Sequence, residues 1–133
     1  MPNIKIFSDG ASRGNPGPAG CGYIIYADGQ EIASGSKYLG TATNNIAEYT
    51  AVIEAAKDPI LKQFDAINFY LDSELVVKQM KGEYKVKNAG LIPLKAELLK
   101  ILKDKTVTFN HVPRDQNKEA DRLANQGIDE HSY

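Results

Sequence analysis

Cys21-Gly22-Tyr23-Ile24-Ile25-Tyr26-Ala27-Asp28-Gly29 is the stretch whose reading decides the fold. Residues 21–26 are rich in β-branched and aromatic side chains and read as a strand. Asp28-Gly29 is the strongest short hairpin signal in the chain, because both residues tolerate the positive φ of a tight turn. Residues 3–9 before this stretch and Glu31–Leu39 after it have the same strand character. The chain therefore opens as an antiparallel meander of three strands.

From Thr43 the period changes. Ile46, Tyr49, Ile53 and Ala56 recur at helical spacing up to Lys57, and Pro59 follows as a stop. Thr43, Asn44 and Asn45 are N-cap candidates, and Asn45 with Glu48 three residues on resembles a capping box. Ala66–Leu71 reads as a strand with Ile67, Phe69 and Leu71 on one face. A short helix is expected from Ser73 to Met80. A longer one is expected over Leu91–Leu102, with Pro93 in its first turn, where proline is tolerated. Thr106–Val112 reads as a fifth strand. Asn117–Ile128 reads as a last helix with Ala120, Leu123, Ala124 and Gly127 inward.

Three hairpin strands followed by βαβ units predict an α/β fold. It is a five-stranded mixed sheet, three antiparallel strands then two parallel, flanked by helices. Right-handed crossovers put strand 4 beside strand 1.

Composition agrees with one domain over residues 1–133. Hydrophobic residues are 42% and charged residues 25%, an ordinary globular mixture. The single cysteine, Cys21, excludes an intramolecular disulfide and disfavours a cysteine-based zinc site. No targeting segment or membrane span is visible, so a cytoplasmic protein without membrane contact is expected. The net charge of −1 gives no overall sign of nucleic-acid binding. That sum hides a contrast. Between Lys78 and Lys105 eight lysines face three acids, a local +5, and the rest of the chain sums to −6.

The acids have a pattern. Asp9 ends strand 1 and Asp72 ends strand 4, so parallel neighbours would bring both carboxylates to one carboxyl edge, where open α/β sheets place ligands. Glu48 lies about one turn into the first long helix, and Asp121 in the first turns of the last one. Four acids converging from four elements repel unless a cation neutralises them. Oxygen ligands of this kind suit Mg²⁺ or Mn²⁺. Each acid also has a plain structural reading: a turn former at Asp9, a capping residue at Glu48, helix-start acids at Asp72 and Asp121. The segment Gly10-Ala11-Ser12-Arg13-Gly14-Asn15-Pro16-Gly17-Pro18 matches neither a P-loop nor a dinucleotide fingerprint. It reads as a loop of turn formers or as backbone that approaches a sugar-phosphate chain.

Together these pieces resemble the type 1 ribonuclease H family from Ile4 to about Ile128. The carriers are Asp9-Gly10-Ala-Ser12-Arg-Gly14-Asn15-Pro16-Gly17, Thr43-Asn44-Asn45-Ile-Ala-Glu48, Leu71-Asp72-Ser73 and His111-Val-Pro-Arg-Asp-Gln-Asn117-Lys-Glu-Ala-Asp121. The resemblance implies a metal-dependent endonuclease that hydrolyses the RNA strand of RNA–DNA hybrids, leaving 5′-phosphate and 3′-hydroxyl ends. It implies Asp9, Glu48, Asp72 and Asp121 as ligands of two Mg²⁺ ions with substrate, Mn²⁺ being a substitute. It implies His111 as a loop histidine that assists proton transfer or product release; the plain reading is a polar residue at a strand end. The following Val112-Pro113-Arg114-Asp115 lacks the family's glycines and is expected to be stiffer.

Substrate contacts follow from the same resemblance. Glu48 and the 10–15 segment, with Gly10, Ser12, Arg13 and Asn15, fall near the RNA minor groove, Thr43 at a phosphate of the DNA strand, Asn44 at a base edge and Asn117 beside the site. Glu74 stands where the family often has glutamine. Lys85 and Lys87, beside Tyr84, are suited to a phosphate backbone. The chain has no tryptophan and no added basic helix here, so hybrid binding is expected to be weaker and more salt-sensitive than in family members that carry that helix. A monomer is expected. The competing readings are a nuclease that also cuts duplex RNA or DNA, a hybrid-binding module with little turnover, and a phosphatase or phospho-acceptor domain using Asp9.

Overall fold

A computed structural model describes residues 2–131. The elements run β1 Ile4–Ser12, β2 Gly17–Ala27, β3 Gln30–Ala42, α1 Asn44–Ala56, β4 Ala66–Leu71, α2 Glu74–Met80, α3 Ile92–Ile101, β5 Thr106–His111 and α4 Lys118–His131, with short 3-10 turns at Pro59–Gln63 and Arg114–Gln116. The strand order is β3-β2-β1-β4-β5. β1 is antiparallel to β2 and parallel to β4, and β4 is parallel to β5. This is the mixed sheet read from the sequence, with strand 4 beside strand 1.

The apolar periodicities become two layers on the sheet. Ile4, Ile6, Ile25, Phe69 and Leu71 are buried under Tyr49 and Val52 of α1, Val76 of α2 and Leu98 of α3. On the opposite face α4 lays Leu123, Ala124, Gly127 and Ile128 against β2 and β3. Within α3 only Leu98 is buried; Leu91 and Leu102 close its two ends, and Ile92 and Leu99 stand half exposed. No helix among the described residues is long and apolar enough to cross a membrane.

The first hairpin departs from the expected boundaries. β1 does not stop at Asp9 but continues to Ser12, and the glycine-rich segment after it is mostly strand. Gly10 pairs with Cys21, Ala11 with Gly20 and Ser12 with Ala19. The true turn is residues 13–16, closed by Arg13 N–H donating to Pro18 O at 2.8 Å. Gly14 keeps the turn role, with φ +125°, but Gly10 is instead a strand position over which α1 passes closely. The second turn is as read: Asp28 and Gly29 both have positive φ, +49° and +84°.

Of the three N-cap candidates for α1, Thr43 takes the role. Thr43 accepts from Ile46 N–H at 3.2 Å, and the Asn45–Glu48 capping box does not form. Glu48 is buried, and its carboxylate is committed elsewhere.

Candidate active site

The parallel register aligns two acids. Phe7 of β1 lies opposite Tyr70 of β4, so Asp9 and Asp72, each two residues on, arrive at the same level of the carboxyl edge. α1 supplies the third acid because Gly10 has no side chain. A Cβ at Gly10 would lie 2.2 Å from the Ala47 carbonyl carbon and 2.4 Å from Glu48 N. The helix therefore rests on strand backbone, and the next side chain, Glu48, reaches Asp9. Carboxylate oxygens of Asp9, Glu48 and Asp72 lie within 4.8 Å of one another.

The fourth acid arrives on the other face. Gly22 lies opposite Asp9 in β2, and a Cβ there would be 2.5 Å from Leu123 Cβ. This contact seats α4, whose Asp121 lies two residues before Leu123 and is near enough to Asp9 to help hold the Asp9 carboxyl above its usual range. Asp121 lines the same cleft, of about 580 Å³, as the other three acids.

The electrostatics follow from this crowding. Burial, then the neighbouring charge of Glu48, pushes the Asp9 carboxyl far above the usual carboxylate range. Burial likewise raises Glu48, against the opposing effect of hydrogen bonds from Asp9 and from Gly10 N–H. Glu48 Oε2 is buried with no hydrogen-bond partner. A divalent cation fits this donor set. It would neutralise the repulsion and satisfy the orphaned oxygen.

Asn117 braces the cluster. Its Nδ2 donates to Ser8 O at 2.9 Å and to Asp72 Oδ2 at 3.2 Å, and its main-chain O accepts from Asp121 N–H at 3.0 Å. One buried residue thus ties β1 and the end of β4 through its side chain, and the start of α4 through its main chain.

The remaining candidates divide by position. Gly10 and Ser12 line the cleft, but Gly10 is a packing position and the Ser12 hydroxyl turns into the hairpin, donating to Ala42 O at 2.7 Å. Asn44 accepts from Ser12 N–H at 3.1 Å, and Asn15 accepts from Asn44 N–H at 3.1 Å. Both asparagines use carbonyl oxygens internally, which leaves their NH₂ groups as donors. Thr43 caps α1 at the same end. Arg13 is paired with Asp129 at 2.7 Å. Glu74 is exposed and paired with Lys78 at 2.9 Å; that lysine, and more weakly His111, holds its carboxyl below the usual range. His111 is exposed at the end of β5, opposite Leu71, and is not among the residues lining the cleft. Lys85 and Lys87 are exposed in the irregular segment between α2 and α3, outside the cleft.

Among the cleft residues that the sequence does not mark as site residues, two bear on the chemistry. Arg114 is exposed on the rim of the acid cleft, and its guanidinium makes no ion pair among the described residues. Its signal is the one arginine inside the His111–Asp121 motif. Asn125 lines the cleft one helical turn after Asp121, and the four-residue spacing is its only mark.

Comparisons with known proteins agree with this architecture. The RNase H family model matches residues 1–129. Ribonuclease HI of Halobacterium salinarum is 41% identical over 131 residues, covering 96% of this chain and 65% of the relative. Ribonuclease H of Cupriavidus metallidurans is 36% identical over 145 residues, covering 96% and 97%. Other relatives are longer: the chain spans 35% of a bifunctional protein of Mycobacterium tuberculosis, at 40% identity over 129 residues. Among solved structures, the crystal structure of LC11-RNase H1 in complex with an RNA/DNA hybrid matches with a TM-score of 0.93 and 39% identity, covering 98% of this chain and 100% of that one. RNase H1 of Halobacterium salinarum matches with a TM-score of 0.91 and 38% identity, covering 96% and 98%. Sheet order, acid positions and whole-length similarity converge on one answer: the chain belongs to the type 1 ribonuclease H family.

Proposed function

We propose that the protein is a divalent-metal-dependent endonuclease that hydrolyses the RNA strand of RNA–DNA hybrids, with Asp9, Glu48, Asp72 and Asp121 as the metal ligands. The observation that carries this reading is the convergence of four carboxylates from β1, α1, β4 and α4 in one cleft. Two Mg²⁺ ions, or Mn²⁺ in their place, would supply charge neutralisation at the attacking and leaving oxygens of an in-line displacement. In the balanced reaction water adds to phosphorus and the P–O3′ bond breaks. The leaving 3′-oxygen takes up a proton, so the ends are 5′-phosphate and 3′-hydroxyl.

The chain's own residues do the rest. Asn117 holds the Asp72 carboxylate through Nδ2. Asn15 and Asn44 offer NH₂ donors beside the cleft, suited to the ribose 2′-hydroxyls and minor-groove acceptors that mark the RNA strand. Thr43 and the N-terminus of α1 suit a phosphate. Arg114 brings a cation to the rim, and His111, near Glu74, is suited to pass a proton between the site and solvent. Lys85 and Lys87 add a field that attracts the duplex. In the cell such a protein is expected to act as a cytoplasmic monomer.

The test is cleavage of end-labelled substrates: hybrid, duplex RNA, single-stranded RNA and duplex DNA, each with Mg²⁺, Mn²⁺ or EDTA. Hybrid cut with metal and left whole with EDTA is the expected outcome. Equal cutting of duplex RNA would widen the substrate class. Hybrid binding without any cutting would reduce the protein to a binding module.

A further inference from the structure

Three of the four acids hold one another, and the fourth does not share that arrangement. Asp9, Glu48 and Asp72 form the tight cluster, whereas Asp121 comes from α4 and is only half buried. Its side chain is met from one side by Asn125. Asn125 Nδ2 donates to Asp121 O at 3.0 Å and lies 3.5 Å from Asp121 Oδ1. Asn125 Oδ1 in turn accepts from Arg13 Nη2 at 3.3 Å. Arg13 is anchored by Asp129 at 2.7 Å through its other terminal nitrogen. The result is a chain of contacts, Asp129–Arg13–Asn125–Asp121, running from the end of α4 through the tip of the β1–β2 hairpin to a metal ligand.

We infer that Asn125 is a positioning residue for Asp121 and that Arg13 sets the orientation of the Asn125 amide. Two features support a role in orientation over one in stability. Asparagine is a poorer helix former than alanine, yet it occupies the interior of a 14-residue helix. The Arg13–Asp129 pair is about half exposed on both sides, and exposed pairs add little to stability. What the chain does provide is a fixed amide. With Oδ1 taken by a guanidinium, Nδ2 is the group turned to Asp121, so the amide cannot flip without breaking both hydrogen bonds. Partners that orient a ligating carboxylate commonly change metal affinity by about 10- to 100-fold when removed.

This inference rests on the metal-ligand reading of Asp121, and its experiment separates the two. Wild type, Asn125→Ala, Arg13→Ala and the double variant are melted in EDTA and in rising Mn²⁺ without nucleic acid. Hybrid cleavage is followed against Mg²⁺ concentration. For Asn125→Ala the Mn²⁺ needed for a given rise in melting temperature, and the Mg²⁺ giving half-maximal rate, are expected to increase about tenfold. Its melting temperature in EDTA should stay close to wild type, because alanine favours the helix. Arg13→Ala should shift the metal response the same way by a smaller factor, and the double variant should match Asn125→Ala. A metal response of Asn125→Ala identical to wild type overturns the proposal. So does a double variant whose shift is the product of the single ones. Should Asn125→Ala fail to fold, Arg13→Ala, which leaves the sequence of α4 intact, still decides: an unchanged metal response there overturns the relay. Wild type that neither responds to Mn²⁺ nor cuts hybrid would instead refute the proposed function.

Discussion

The carboxyl edge of the sheet and the segment from Lys81 to Gly90 are both polar and both serve the same proposed substrate, yet they are built in opposite ways. At the edge, every acid is set by backbone: parallel register, a helix resting on Gly10, a second helix resting on Gly22. In the segment, Lys81, Lys85 and Lys87 are exposed on irregular chain. Its ordered feature is Tyr84, met by Lys78 5.0 Å from the ring centroid. The difference teaches what each job demands. Holding cations for bond breaking depends on tenths of an ångström. Attracting a polyanion depends on charge within about a Debye length, roughly 10 Å, which a loose segment supplies equally well.

The sharpest way to break this comparison is at the edge. Asp72→Asn should lower hybrid cleavage by on the order of 10³-fold or more, since it removes a metal ligand and several kcal/mol of charge stabilisation. Its metal-free melting temperature should rise, because the Asp72 charge opposes ionisation of Asp9 and Glu48. Retained cleavage would disprove the ligand role.

Gly10→Ala tests the backbone directly. The added methyl forces β1 and α1 apart, at about 1–3 kcal/mol of stability or more. The shift in Glu48 should cost about 10²-fold in rate, read from cleavage below the melting temperature.

A third measurement is melting temperature against pH in EDTA. Asp9 and Glu48 have folded values raised above their ordinary 3.8 and 4.5. The folded chain therefore holds more protons than the unfolded chain above about pH 4, and stability falls as pH rises through the raised values. Saturating Mg²⁺ should flatten that fall near neutrality, and unchanged curves would remove the electrostatic account of the cluster.

The smallest effect belongs to the segment. Lys85→Ala with Lys87→Ala should weaken hybrid binding a few-fold and reduce the slope of log affinity on log salt by about one for each phosphate no longer neutralised. Cleavage at saturating hybrid should change little. A large loss of rate there would mean that the segment is placed as strictly as the edge.

Much of this architecture is legible in the sequence. The meander, the helical periods and the acid positions all rest on local patterns that tertiary packing preserves. What the sequence conceals is the meaning of small residues. Gly10 reads as a turn former and Gly22 as an ordinary strand position, because a glycine that frees the backbone and one that lets a helix touch it look alike in one dimension. The reach of Arg13 is hidden for a related reason. Its partners Asn125 and Asp129 are more than a hundred positions away, and only the packing of α4 on β2 brings them near. Asn15 and Asn44 read as substrate contacts, and half of each amide is spent on bracing the hairpin against α1.

The two glycine contacts have a consequence for how such a site tolerates change. Asp9 sits between Gly10 along its own strand and Gly22 across the ladder, and each glycine admits one acid-bearing helix. The separations between Asp9 and the acids of these two helices are thus fixed by the thickness of bare peptide. No smaller residue exists to bring the helices closer, and any larger one widens the gap by a methyl group at least. The site therefore has no continuous adjustment: grafting the four acids onto another sheet would transfer their chemistry only if these two missing side chains were transferred with them.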